Sequence, residues 1–230
     1  MPWPSRRNPC ENDNRPVKTS VNLQRLVHIG SAELSESTPR LPGECLTLAG
    51  ALGQDLLQMY WLRNGFFAFE SALHVFPLGT ARGGYDLLQW NSAGLWQHRY
   101  GKDSENCLFF AEDIFAGQFC IYKDSIYRFD PETGKKEFLA SSVDGWAKLV
   151  LEDPEFQTGW PVAHAWQEHH GRLPESDRLI PHIPFVLGGS FDLENLHSVN
   201  ALKAMEFYAD VASQIASLPD GTRVRLKVVE

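Results

Sequence analysis

Between Cys107 and Leu139 the chain repeats one local plan, a short aromatic or aliphatic run followed by a turn. The runs "CLFFA", "GQFCIY", "SIYRF" and "KKEFLA" are separated by "EDIFA", "KD" and "DPETG". Runs of this length, bounded by Gly, Pro and Asp, predict strands joined by tight turns. Connections that short permit only antiparallel pairing. Both faces of the runs are largely apolar, so the sheet they build must be covered on both sides. Phe119 and Ile121 should share one face, Cys120 and Tyr122 the other. Gly117 is expected to let the chain turn into a strand, and a side chain there would cost about 1 kcal/mol or more if its φ is positive.

Helical periodicity flanks this block. Leu52, Leu56, Met59 and Leu62 recur at helical spacing until Asn64-Gly65. "FFAFESALHVFPLG" reads as strand, ended by Pro77. In "YDLLQWNSAGLWQHRYG" the spacing of Trp96 and Tyr100 predicts helix in the second half, with Trp90, Trp96 and Tyr100 in the core. "SVDGWAKLVLEDPEF" predicts a short helix capped by Ser142 or Asp144, and "WPVAHAWQEHHGRLP" another. "LIPHIPFVLGGSFDLENL" reads as an extended, Pro-punctuated segment. Ala201, Ala204, Tyr208, Val211, Ile215 and Leu218 mark the clearest helix, and "TRVRLKVV" alternates as a strand. The expected fold is α+β, a mostly antiparallel twisted sheet flanked by helices. Residues 1–40 are expected to be an N-terminal extension, loose over the first twenty, and residues 41–230 a single domain.

The chain holds 21 basic and 29 acidic residues, a net charge of −8, with the basic excess confined to its first forty residues. An acidic body repels nucleic acid and anionic membranes and draws in basic partners. No apolar run approaches the ~20 residues that span a bilayer. The first residues have no apolar segment behind their arginines, so a cytoplasmic location is expected. Cys10, Cys45, Cys107 and Cys120 form no CxxC pair. Cys107 and Cys120 are expected to be buried thiols on neighbouring strands.

Candidate chemistry is sparse. His164, Glu168, His169 and His170 in "HAWQEHHG" could serve a metal-dependent hydrolase, but their spacing matches neither H-E-x-x-H nor H-x-x-E-H. A polar helix end is the simpler reading. The serine of "FVLGGSFDL" lacks the G-x-S-x-G pattern, and no dinucleotide or P-loop signature occurs. Glu112 and Asp113 are adjacent, which on a strand points them apart, so they read as solvated loop charges. No catalytic residue, metal or cofactor is expected; the chain reads as a platform and not as an enzyme.

One set of features carries a resemblance. A helix ending in Asn64-Gly65 is followed by a strand leading to an acidic turn with Asp113 and Gly117. A hairpin with an aromatic-flanked acidic turn, Tyr127 to Gly134, comes next, and then a helix opened by Ser142 with Trp146. In that order, over roughly residues 50 to 155, the chain resembles the SUKH superfamily, the Smi/Knr-like proteins. The resemblance implies a SUKH-like fold and, in bacterial members, an immunity protein that binds and neutralises a cognate polymorphic toxin. Fungal members act instead as intracellular scaffolds. The family supplies no catalytic or universal binding residues to carry over. With net charge −8, the expected partner is a basic toxin domain, and Asp103, Glu105, Glu112 and Asp113 are the expected acidic docking rim.

Overall fold

A computed structural model describes residues 20–82, 84–219 and 221–222. The C-terminal strand expected over 222–229 and the loose tail expected over residues 1–20 fall almost wholly outside the described residues.

The central feature is a six-stranded antiparallel sheet in which every strand pairs with its sequence neighbour, from β1 (Phe66–Ala68), β2 (Leu73–Val75) and β3 (Leu108–Asp113) to β4 (Gln118–Tyr122), β5 (Ser125–Phe129) and β6 (Lys136–Ala140). Helices flank it, so the fold is α+β, as the alternation of short runs and turns requires. β4 and β5 are joined by Lys123 and Asp124 alone, both at positive φ, the conformation that matches the twist of a two-residue hairpin. The register shifts between Phe109 and Ala111 on β3, a local irregularity of the kind that bends a strand.

One face of the sheet carries α1 (Val21–Ile29), α2 (Gly43–Ala49), α3 (Gly53–Leu62) and α5 (Val143–Glu152). Ser142 caps α5 by accepting from the Gly145 N–H at 3.0 Å. Asp144, the alternative cap, instead accepts from the Leu23 N–H and from Asn22 Nδ2, both at 2.9 Å, and so satisfies the start of α1. Trp146 then projects onto the sheet between Phe110 and Phe119, with ring centroids 5.0 and 5.5 Å away. Leu23 and Leu26 of α1 are fully buried. Leu23, Leu26 and Val27 of α1, expected within an extension, therefore join the main core, where this amphipathic helix covers α5.

The opposite face carries an aromatic stack of Trp90, Trp96, Tyr100, Phe109 and Phe129, with α8 (Ala201–Ile215) and a small sheet of β7 (Asp177–Pro181) and β8 (Leu196–Asn200) beside it. The helix in this region is α4 (Leu87–Trp90), earlier than expected; Asp86 and Gln89 form a reciprocal capping box there. The stretch around Trp96 and Tyr100 winds as 3-10 turns instead, yet both side chains are core. Cys107 and Cys120 are buried free thiols.

The run 66–79, expected as one strand, is a hairpin. Phe69, Glu70 and Ser71 all take positive φ, which no non-glycine sequence announces. The turn is held from outside by α7 (Trp160–His170), whose Gln167 Nε2 donates to the Glu70 carbonyl at 2.9 Å. A second, smaller core of Ala72, Ile114, Ala163, Trp166, Leu173, Leu179 and Leu196 fills the space between that turn, α7 and β7. Among the described residues no helix is long and apolar enough to cross a membrane.

Candidate functional site

Where the two cores meet, at the end of β3, β4 and β5, a cleft of about 620 Å³ opens to solvent. That size lies within the range of ligand and anchor-residue pockets. Several separate segments build it, among them β5 with the turn after it (Arg128, Asp130, Glu132) and α8 (Tyr208). The β3–β4 turn supplies Asp113 and Phe115, α6 (Pro154–Thr158) supplies Phe156, and the loop between β7 and β8 supplies Phe185 and Phe191. Phe115 meets Phe185 and Phe191 edge-on at 5.5 and 5.3 Å, and Phe185 stacks on Phe191 at 3.9 Å. Phe156 and Phe191 are 64% and 54% exposed, an unusual state for large apolar rings.

The turn that carries Asp113 is tightly specified. Asp113 Oδ1 accepts from the Phe115 and Gly117 N–H groups at 2.9 and 2.8 Å. Positive φ falls on Ala116 and not on Gly117, so the condition for a φ penalty at Gly117 is not met. Gly117 is required for a different reason: a Cβ there would collide with the Asp113 carboxylate. Gly159, at φ +71°, likewise lets the start of α7 lie against Phe115, where a Cβ would strike the ring.

The loop that carries Phe185 and Phe191 is anchored equally firmly. Glu132 accepts from the Phe185 and Val186 N–H groups at 2.9 and 2.6 Å. Asn195 accepts from the Ile183 N–H at 2.9 Å and donates to the Ser190 carbonyl at 2.8 Å. A site held by such contacts loses little freedom on binding.

Four of the five charged residues lining the cleft are acidic: Asp113, Asp130, Glu132 and Glu155, against Arg128. Burial pushes the Asp113 carboxyl up to about 6, with Arg128 and the two N–H donors pulling the other way. Burial also raises Glu132, opposed by its two backbone donors. Arg128 donates to the Phe156 and Gln157 carbonyls at 3.2 and 2.7 Å and lies over the Phe119 and Phe156 rings. Two polar atoms in the wall, Arg128 Nε and the Tyr208 hydroxyl, are buried with no hydrogen-bond partner among the described residues. Tyr208 itself is 1% exposed.

The expected docking rim is not one surface. Asp103 and Glu105 are exposed on the loop before β3. Glu112 and Asp113 are 1% and 7% exposed within β3, not solvated loop charges. Strand alternation sends Asp113 toward the cleft and Glu112 into the protein, where Arg178 Nη2 donates to its carboxylate and His74 Nδ1 lies 2.9 Å from it. Nor do the residues of "HAWQEHH" converge. His164 Nδ1 lies 2.7 Å from Glu70 and its Nε2 lies 3.5 Å from Glu168, whereas the Nδ1 atoms of His169 and His170 face helix carbonyls at 2.8 and 3.0 Å. The glutamate beside it raises the His164 pKa.

Sequence reasoning missed the cleft because its walls are distant in the chain. The available signal was "IPFVLGGSFDL", a Pro- and Gly-rich loop that nevertheless carries two phenylalanines.

No family model matches the chain, and no curated protein matches it. Among solved structures, the crystal structure of Atu4351 from Agrobacterium tumefaciens aligns over 81% of this chain and 87% of that one, with 12% identity and a TM-score of 0.49.

Proposed function

We propose that this chain is a protein-binding module of the immunity type, which binds a cognate basic toxin domain in the cytoplasm and blocks it. The reading starts from the likeness to Smi/Knr-like proteins. The observation that supports it most is the cleft. Exposed Phe156 and Phe191 stand beside acidic residues on a frame held by Asp113, Glu132 and Asn195. Exposed aromatics in a pre-set concavity are the usual anchors of a tight interface, and an acidic surround favours encounter with a basic partner. Catalysis has no part in this reading.

The test is co-expression with the product of the adjacent gene. A 1:1 complex that abolishes that product's toxicity is expected. A neighbour that is not toxic, or a toxic neighbour that neither binds nor is blocked, overturns the proposal.

A further inference from the structure

We propose that the cleft is a guanidinium-recognition pocket that receives an arginine side chain presented by the protein partner. This rests on the binding reading above and names the chemistry of its anchor.

The argument begins with what the cleft offers. Its apolar wall is the phenylalanine set of Phe115, Phe156, Phe185 and Phe191, with flat ring faces and edges. A guanidinium is planar, weakly hydrated and stacks on aromatic faces, which an ammonium does less well. The polar part is acidic on balance, with Asp113 and Glu132 buried and Asp130 half-buried. A carboxylate in a desolvated wall is costly to keep charged unless a cation meets it. Asp113 is that group: its Oδ1 holds the turn, while Oδ2 accepts no hydrogen bond among the described residues.

The independent observation is Tyr208. Its hydroxyl lines the cleft, buried with no partner among the described residues; burial raises its pKa, and the Glu132 and Asp113 carboxylates add to that. A buried hydroxyl without a partner costs free energy that a ligand donor would recover. Guanidinium carries five N–H donors in a fixed fork, so one group can reach a carboxylate and a phenol oxygen together. Lysine, a point charge on a flexible stem, has no planar fork to stack. An anionic ligand would face four carboxylates with only Arg128 in its favour. Arg128 is itself held by the Phe156 and Gln157 carbonyls.

The experiment uses the full ¹⁵N-labelled chain titrated with N-acetyl-arginine amide, N-acetyl-citrulline amide and N-acetyl-lysine amide. Citrulline keeps the planar shape and loses the charge. The arginine probe should shift the amides of Phe115, Gly117 and Phe191 and saturate at millimolar concentration, with citrulline and lysine at least about fivefold weaker. Tyr208→Phe and Phe191→Ala should each weaken the arginine probe by about threefold or more. Asp113→Asn should weaken it further, and the other two variants keep the test decisive if that one misfolds. Equal response to all three probes, shifts away from the cleft, or no saturation by 50 mM (about ten times the expected range) overturns the proposal. The small probes need no toxin. Saturable arginine binding beside a harmless neighbouring gene product therefore supports the pocket and sinks the immunity reading. A tight toxin complex indifferent to Phe191→Ala and Tyr208→Phe does the reverse.

Discussion

Glu112 and Asp113 are neighbours on one strand, and the structure treats them in opposite ways. Glu112 ends in a sealed network. Arg178 and His74 meet one carboxylate oxygen, Gln118 Nε2 donates to the other at 3.2 Å, and Trp90 Nε1 donates to Gln118 at 2.8 Å. His74 stacks on Phe67 and meets Phe76 edge-on, and burial lowers its pKa so that it stays neutral and donates to the carboxylate. Burial pushes Glu112 up, but Arg178, His74 and Gln118 together hold it below the usual carboxylate range. Asp113, one residue on, has backbone donors on a single oxygen and a carboxyl raised to about 6. Two buried acids thus divide into one whose charge is matched inside the protein and one whose charge is matched less fully. The first fastens β7 to the sheet; the second lines the open cleft. A raised carboxyl at the wall of a concavity is a better sign of a site than burial alone.

The comparison breaks most severely at Arg178. Arg178→Met leaves Glu112 buried without its cation, which should cost about 3–5 kcal/mol and lower Tm by about 10 °C. Arg178→Met combined with Glu112→Leu removes both charges, and most of the loss should return because the desolvation of the pair disappears with it. Thermal melts of wild type, single and double variants measure this. A single variant within about 1 kcal/mol of wild type would mean that the network is solvated and that the contrast with Asp113 is false.

Asp113 should respond with the opposite sign. Its folded-state carboxyl titrates near 6 against an ordinary value of 3.8, so between these values the folded chain binds more protons than the unfolded one. Stability from this group therefore falls as pH rises through that window and stays reduced above it. Glu112 and Arg128 are the charged groups that act on it most directly. Asp113→Asn keeps an oxygen for the Phe115 and Gly117 donors and removes the charge. Relative to wild type it should gain stability between pH 4 and pH 7, by no more than about 3 kcal/mol. Denaturant melts at the two pH values give the difference; a variant that instead loses ground toward pH 7 contradicts a raised Asp113.

How far this division was legible in the sequence depends on the range of the interaction that decides it. The hairpin ladder, the Ser142 cap and the Ala201–Tyr208–Val211 stripe were visible because pleat, cap and helix period are local. The Glu112–Asp113 pair was not, because the cation that makes Glu112 a core residue is 66 positions away. The left-handed turn at Phe69–Ser71 was hidden for the same reason, since Gln167 and His164 hold it from α7. The cleft combines both difficulties. Phe115 and Phe191 sit in loops, Phe156 on the five-residue α6 and Phe185 at the start of a single 3-10 turn, all too short for apolar periodicity to report. Only the presence of exposed aromatics in turn-rich sequence hints at them.

The smallest expected effect separates the two regions most sharply. Phe191 is more than half exposed and belongs to neither core, so Phe191→Ala removes one stacked neighbour of Phe185 and little buried area. It should change stability by less than about 1 kcal/mol, in line with most substitutions at exposed positions. Trp90, by contrast, is fully buried and bonded to Gln118, and its loss belongs with the 3–5 kcal/mol class of large core deletions. If the cleft is built for a partner, the small stability change at Phe191 should come with a tenfold or greater loss of partner affinity, the behaviour of an anchor ring that contributes to binding more than to folding. A loss of several kcal/mol on Phe191→Ala, measured by denaturant melts, would make the phenylalanine set an extension of the second core, and Asp113 would then line a structural seam and not a site.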